Sequence, residues 1–218
     1  MDEFILDDIP HSMAGIGNCF EDIKNLKLKH PTNISCAYLN INSIRNKFDN
    51  LKNMIEQNID ILCIAETKLD PSFPESQFHM PGYTIPYRLD KSGNSGGLLV
   101  YVKETIPSKL LVEFSLPNKI QAIPVEINFR KSKWLLLSIY RPPDLPENIF
   151  VDSISALFDF YSSKYDNILT LGDFNIEPND MKLSPLTDGH NLYNLIKDPT
   201  CFKTTKGTCI DLILTNRK

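Results

Sequence analysis

The chain has 218 residues, 42% of them hydrophobic and 23% charged, with a formal net charge of −4. That length suits one domain with a sizeable core, and the negative balance argues against holding nucleic acid by bulk electrostatics. No apolar run reaches the roughly 20 residues of a membrane span, and the five cysteines form no CxxC pair, which excludes a zinc ribbon and points to a reducing, intracellular compartment.

Residues 1 to about 30 begin acidic, unlike a secretory signal, and lack sustained periodicity. They predict a mobile leader, with room for a short helix over Glu21 to Leu28 that Pro31 ends. Rising apolar content from Asn33 to Leu39 predicts a first strand that delivers Asn40. Ser43 is placed to cap a helix whose apolar face is Ile44, Phe48, Leu51 and Ile55. A second buried strand, Ile59 to Ala65, ends at Glu66.

Pro71, Pro74, Pro81, Gly82 and Pro86 break the next region into loops, and a turn over Gly93 to Gly97 leads into a strand over Leu98 to Val102. Strands over Ile120 to Phe129 and Trp134 to Tyr140 flank a polar hairpin turn. Tyr140 closes its strand ahead of the enforced loop Arg141-Pro142-Pro143. An amphipathic helix over Phe150 to Tyr161 then feeds an apolar strand from Ile168 that Gly172 stops. A short helix near Asn191 to Ile196 and a last strand over Cys209 to Leu214, carrying Asp211, complete the pattern.

The strand from Ile168 carries the most chemistry. Side chains two apart on extended backbone share a face, so Asp173 and Asn175 can enter one small volume while Phe174 turns into packing. A carboxylate there can orient and deprotonate water while the amide holds an adjacent oxygen. The alternative for these two residues is a strand-end turn in which both cap backbone groups.

Six segments occur in order: Leu-Asn-Ile-Asn-Ser-Ile (39–44), Ala-Glu-Thr-Lys-Leu (65–69), Ile-Tyr-Arg-Pro-Pro (139–143), Leu-Gly-Asp-Phe-Asn (171–175), Pro-Thr-Cys-Phe (199–202) and Cys-Ile-Asp-Leu-Ile-Leu-Thr-Asn (209–216). Together they resemble the endonuclease/exonuclease/phosphatase superfamily. The resemblance is closest to the apurinic-endonuclease-like nuclease domain of non-LTR (LINE-type) retrotransposon polyproteins, over about residues 33 to 218. It implies an α+β, four-layer αββα sandwich, two mixed sheets face to face with outer helices, over 31–218 behind the leader of 1–30.

By that resemblance Asn40 and Glu66 hold a divalent cation, Mg²⁺ with Mn²⁺ as the alternative. Asp173 aligns or deprotonates the attacking water, Asn175 fixes the phosphate, and Tyr140 donates to a phosphate oxygen or assists the leaving group. Thr200 is a hydroxyl near the phosphate or a turn threonine, and Asp211 orients a catalytic histidine. The implied activity is nicking of DNA, in the nucleus, with a reverse transcriptase domain in a longer parent polyprotein as partner. The family's later Ser-Asp-His strand end has no counterpart among these residues, and none of His11, His30, His79 and His190 matches it. The expectation is therefore a C-terminally incomplete domain, lacking its last strand or strands, with impaired activity. Two alternatives keep the fold: a non-catalytic, degenerate interaction module, and a phosphatase acting on another phosphate ester.

Overall fold

Two runs of five residues, Ile61–Ala65 and Leu98–Val102, are buried at every position. Continuous burial of that kind requires cover on both faces of a sheet. The computed structural model of the protein describes residues 16–55, 58–91, 95–117, 119–202 and 205–217, and shows where that cover comes from. The elements run α1 (Ile16–Lys29), β1 (Cys36–Asn40), α2 (Phe48–Ile55), β2 (Ile61–Ala65), a 3-10 turn (Glu75–Phe78), β3 (Tyr87–Leu89), β4 (Leu98–Val102) and β5 (Ser108–Leu110). There follow β6 (Gln121–Phe129), β7 (Ser132–Tyr140), α3 (Glu147–Ser162), β8 (Asn167–Asp173), α4 (Ser184–Thr187), β9 (Tyr193–Asn194) and β10 (Asp211–Thr215).

The strands form a four-stranded sheet in the order β1-β2-β4-β3 and a six-stranded sheet in the order β5-β6-β7-β8-β10-β9. Both are mixed, with β1 parallel to β2 and β7 parallel to β8. The sheets face each other across an apolar layer that includes Cys63, Val100, Val125, Leu136 and Leu171. Phe150, Ile154, Leu157 and Phe158 lay α3 on the far face of the larger sheet. Leu51 and Ile55 lay α2 on the far face of the smaller one, where Ile23 of α1 also packs. The result is the expected four-layer αββα sandwich.

Local differences from the sequence reading have identifiable causes. Ser43 does not cap a helix: its φ is 80°, and the helix begins only at Phe48. The backbone N–H groups of Ser43 and Ile44 instead bond to the carbonyls of Glu66 and Thr67, at 2.7 and 3.1 Å, so the chain stays tied alongside the end of β2. The helix expected near Asn191–Ile196 is replaced by β9, because Asn191 turns at φ 52° and Tyr193–Asn194 pairs with β10. The three-residue strands β3 and β5 were not anticipated, being too short to show a period. The 93–94 part of the expected glycine turn lies outside the described residues.

The second half of the stretch expected to be mobile to about residue 30 is α1, while its residues 1–15 lie outside the described residues. Lys27 of α1 donates to the buried carboxylate of Asp60 at 2.5 Å, Lys103 pairs with it at 2.9 Å, and the Ser35 N–H donates to it at 2.8 Å. Burial raises the Asp60 carboxyl, but the hydrogen bonds from Lys103, Lys27 and Ser35 outweigh it and hold it below its ordinary range. Among the described residues no helix is long and apolar enough to cross a membrane.

Removing one member of a buried ion cluster leaves its partners desolvated and unpaired. Asp60→Ala should therefore cost about 3–5 kcal/mol in urea unfolding, and a loss below about 1 kcal/mol, the scale of a surface pair, would show that the cluster is merely superficial. With the carboxyl lowered in the folded state, its stabilisation is present above the unfolded value and is lost only as pH falls through the folded one.

Candidate active site

Strand direction brings the polar ends together. Asn40 ends β1, Glu66 follows β2 directly, and Tyr140 and Asp173 end the parallel pair β7 and β8. Asp211 begins β10, which runs antiparallel to β8, so it lies at the same end of the sandwich. Tyr140 is in register with Asp173, and Asp173 with Asp211, giving a row across three neighbouring strands. Gly172 lets β7 and β8 approach closely there, since a Cβ on it would collide with the Ile139 carbonyl.

The Asn40 side-chain amide bridges the two sheets. Its Nδ2 donates to Glu66 Oε1 at 2.9 Å and to Asp173 Oδ2 at 3.2 Å, while its Oδ1 accepts the Asn42 N–H at 3.2 Å. One amide nitrogen thus stands between two carboxylates. Asp173 Oδ1 accepts the Asn175 N–H at 3.0 Å, and Asn175 Nδ2 donates to the Arg141 carbonyl at 2.8 Å. Asn175 is therefore drawn into the turn, leaving one amide N–H for another acceptor. Thr200 accepts the N–H groups of Ile210 and Asp211, at 3.2 and 3.0 Å, which places it at the root of β10. Asp211 Oδ1 is buried without a hydrogen-bond partner among the described residues.

These contacts perturb titration. Burial, then the facing Asp211, raise the Asp173 carboxyl to about 6 against hydrogen bonds from Asn175 and Asn40. Burial also raises Asp211, opposed by Thr200 and reinforced by Glu66. Burial, then Glu66 and Asp173, push the Tyr140 phenol far above its ordinary range. The backbone is held in rare conformations at the same place: φ is positive at Asn42, Ser43, Glu66, Lys68 and Asn175. Such residues persist only where the surroundings over-determine them, and they cluster at functional sites.

Two residues given no role by the sequence reading belong to this region. Arg141, 4% exposed, donates to the carbonyls of Asn175 and Leu145, at 3.1 and 2.6 Å, and fastens the loop after β8. A charged residue ahead of two prolines was its only sequence signal. Tyr38, two residues before Asn40 on the same face of β1, has its phenol raised by burial and by Asp173 and Asp211. Nothing in its strand pattern distinguished it from a core aromatic.

A model of the Endonuclease/Exonuclease/phosphatase family matches residues 37–218. Two exodeoxyribonucleases of Streptococcus pneumoniae are 25% identical over 151 residues, covering 62% of this chain and 54% of each relative. The chain thus spans about half the length of the curated relatives it matches. The human Nocturnin catalytic domain superposes with a TM-score of 0.64 at 14% identity, covering 84% of this chain and 81% of that one. The endonuclease domain of TRAS1, a telomere-specific non-LTR retrotransposon, gives 0.63 at 14% identity and covers 84% of each chain. The AP endonuclease LMAP from Leishmania major gives 0.66 at 12% identity, covering 84% of this chain and 78% of that one. At such identities these structures show the fold alone.

The raised Asp173 has a measurable consequence in metal-free buffer. Folded Asp173 keeps its proton to about 6, whereas the ordinary value is 3.8. The native state therefore binds more protons across that window, and stability falls as pH rises through it. Asp173→Asn should stabilise the chain by about 1–3 kcal/mol at pH near 7. The advantage should nearly vanish at a pH around 4. Thermal melts in EDTA check this, and an equal effect at both pH values would defeat it.

Proposed function

We propose that this chain, which belongs to the endonuclease/exonuclease/phosphatase family, hydrolyses phosphodiester bonds of DNA where Asn40, Glu66, Asp173 and Asp211 meet. The observation that carries the reading is the Asn40 amide placed between the Glu66 and Asp173 carboxylates. Side chains from both sheets converge there, with a third carboxylate, Asp211, opposite Asp173. Like charges directly opposed across a ladder destabilise it, so the arrangement has no structural advantage.

The donors suit a hard divalent cation, Mg²⁺ or in its place Mn²⁺. They are oxygens, and the buried, unpartnered Asp211 Oδ1 marks negative charge that the described protein leaves uncompensated. Among the described residues no three His, Cys, Asp or Glu side chains gather closely enough to hold an ion alone. This suits Mg²⁺, which commonly takes one or two carboxylates and completes its shell with water and substrate phosphate. Glu66 would hold it through its carboxylate and Asn40 through Oδ1, which in this structure accepts the Asn42 N–H while Nδ2 faces the carboxylates. A bound cation supplies electrostatic stabilisation of charge developing on the phosphoryl and leaving oxygens.

The chain's own groups supply the rest. Asp173 accepts a proton from water and orients it for in-line attack. The remaining N–H of Asn175 and the Tyr140 phenol donate to phosphate oxygens. Thr200 holds the strand start that presents Asp211. In the family resemblance Asp211 orients a histidine, and its unpartnered oxygen is suited to accept from one.

The ordered motifs and the fold shared with the TRAS1 endonuclease domain support a retrotransposon-type nickase, acting on chromosomal DNA beside a reverse transcriptase. A 3′ phosphatase from Neisseria shares the fold at a TM-score of 0.58, and this supports the second reading, action on another phosphate ester.

Conversion of supercoiled plasmid to nicked circles tests the proposal. Nicking should require Mg²⁺ or Mn²⁺, and Asp173→Ala should abolish it with the circular dichroism unchanged. Glu66→Gln should reduce it by about 10²-fold. Nicking that survives EDTA or Asp173→Ala would overturn the assignment. Release of phosphate from a 3′-phosphorylated oligonucleotide without nicking would favour the second reading.

A further inference from the structure

We infer that Gln121 is a positioning residue for Glu66, acting from the opposite sheet through the Gly96–Gly97 turn. The inference rests on the proposed role of Glu66 and adds the device that places it. Gln121 begins β6, is in register with Tyr140, and is 4% exposed. Ile123, Val125 and Ile127 share its face of β6 and fill the layer between the sheets. Gln121 is thus the last rung of that layer at the active-site end, and the only polar one of the four.

Its Oε1 accepts the Gly97 N–H at 2.7 Å. The Gly97 carbonyl accepts the Thr67 N–H at 3.2 Å, and the Gly96 carbonyl accepts the Lys68 N–H at 2.9 Å. Glu66 is the residue before this doubly bonded pair. On its other side the Glu66 carbonyl is held by the Ser43 N–H at 2.7 Å. Glu66 and Lys68 have φ of 52° and 54°, conformations that need such restraint. Gly96 and Gly97 sit at φ 71° and 89°, and a Cβ on them would collide with the Gln121 amide and the Thr67 hydroxyl respectively.

Packing alone does not account for a glutamine here. Its Nε2 is buried with no partner among the described residues, a cost that an apolar side chain of the same length avoids. What the apolar side chain cannot do is accept the Gly97 N–H. Glu66 is therefore located from two directions: its backbone by Gln121 of the large sheet, its carboxylate by Asn40 of the small one.

Gln121→Met, close in shape but without the acceptor, tests the inference in the full 218-residue chain. Gln121→Glu, which keeps an acceptor for Gly97, is the rescue variant. Amide exchange by NMR should show Thr67 and Lys68 exchanging about tenfold faster in Gln121→Met relative to Leu62 and Ile64 of β2, with protection restored in Gln121→Glu. Mn²⁺ affinity, read by electron paramagnetic resonance, should fall about tenfold in Gln121→Met, approaching that of Glu66→Gln. Unchanged protection at Thr67 and Lys68 would overturn the inference, as would a uniform loss along β2, which marks general destabilisation. So would unchanged Mn²⁺ affinity in Gln121→Met alongside a clear loss in Glu66→Gln. If Glu66→Gln itself leaves Mn²⁺ binding unchanged, the proposed metal role of Glu66 fails, and exchange alone decides whether Gln121 holds the turn.

Discussion

Asp173 and Asp211 face each other across adjacent antiparallel strands, and the neighbouring structure is arranged to tolerate that pairing. Charges of like sign in register oppose the ladder that joins them. The Asn40 amide and the Asn175 N–H soften the repulsion on Asp173, and Thr200 does so on Asp211. Gly172, one residue before Asp173, brings β7 and β8 close enough for Tyr140 to flank the pair. Arg141 then ties down the loop that Asn175 enters. What these contacts leave uncompensated, the Asp211 oxygen, defines the chemistry a ligand must bring: positive charge or a donated hydrogen.

The two ends of the sandwich treat a buried carboxylate in opposite ways. At one end Asp60 receives donors from Lys27, Lys103 and Ser35, and its carboxyl is lowered. At the other, Asp173 and Asp211 are raised, with amides and a hydroxyl as their only described donors. The first arrangement favours the folded state at neutral pH, and the second opposes it. The contrast is what separates a structural clamp from a site kept ready for a cation, because full compensation by the protein would leave nothing for a ligand to stabilise.

Positive φ at non-glycine residues occurs at the β6–β7 hairpin, in Arg130 and Lys131, and at Asn191, but it is most concentrated at the polar end. The positive φ values at Asn42, Ser43, Glu66, Lys68 and Asn175 all lie on the loops that leave β1, β2 and β8 at the polar end. Their stability is borrowed from bonds between loops, such as Ser43 to Glu66 and Thr67 to Gly97, rather than from local preference. Rigid placement of these loops is the precondition for the proposed reaction, in which small misplacements of the reacting groups are expensive.

Much of this was legible in the sequence. The apolar runs of β2, β4 and β8 and the period of α3 are local patterns, and the order of six short motifs implied the sandwich. The placement of Asn40, Glu66, Tyr140 and Asp173 at strand ends was readable because a buried strand can present polar groups only where it emerges. The sequence could not show that Ser43 would bond to Glu66 rather than cap a helix, or that Tyr193–Asn194 would pair with β10. It gave no sign that Lys27 would reach Asp60, or that Gln121 would hold the turn beside Glu66. Each of those outcomes is a contact between segments far apart in the chain, where the energy of a distant partner overrides local propensity. The sequence by itself determined which strands exist and which residues they deliver, through short-range periodicity. Only the tertiary structure decided which of those residues meet, because that depends on the stacking of two sheets and the register between them.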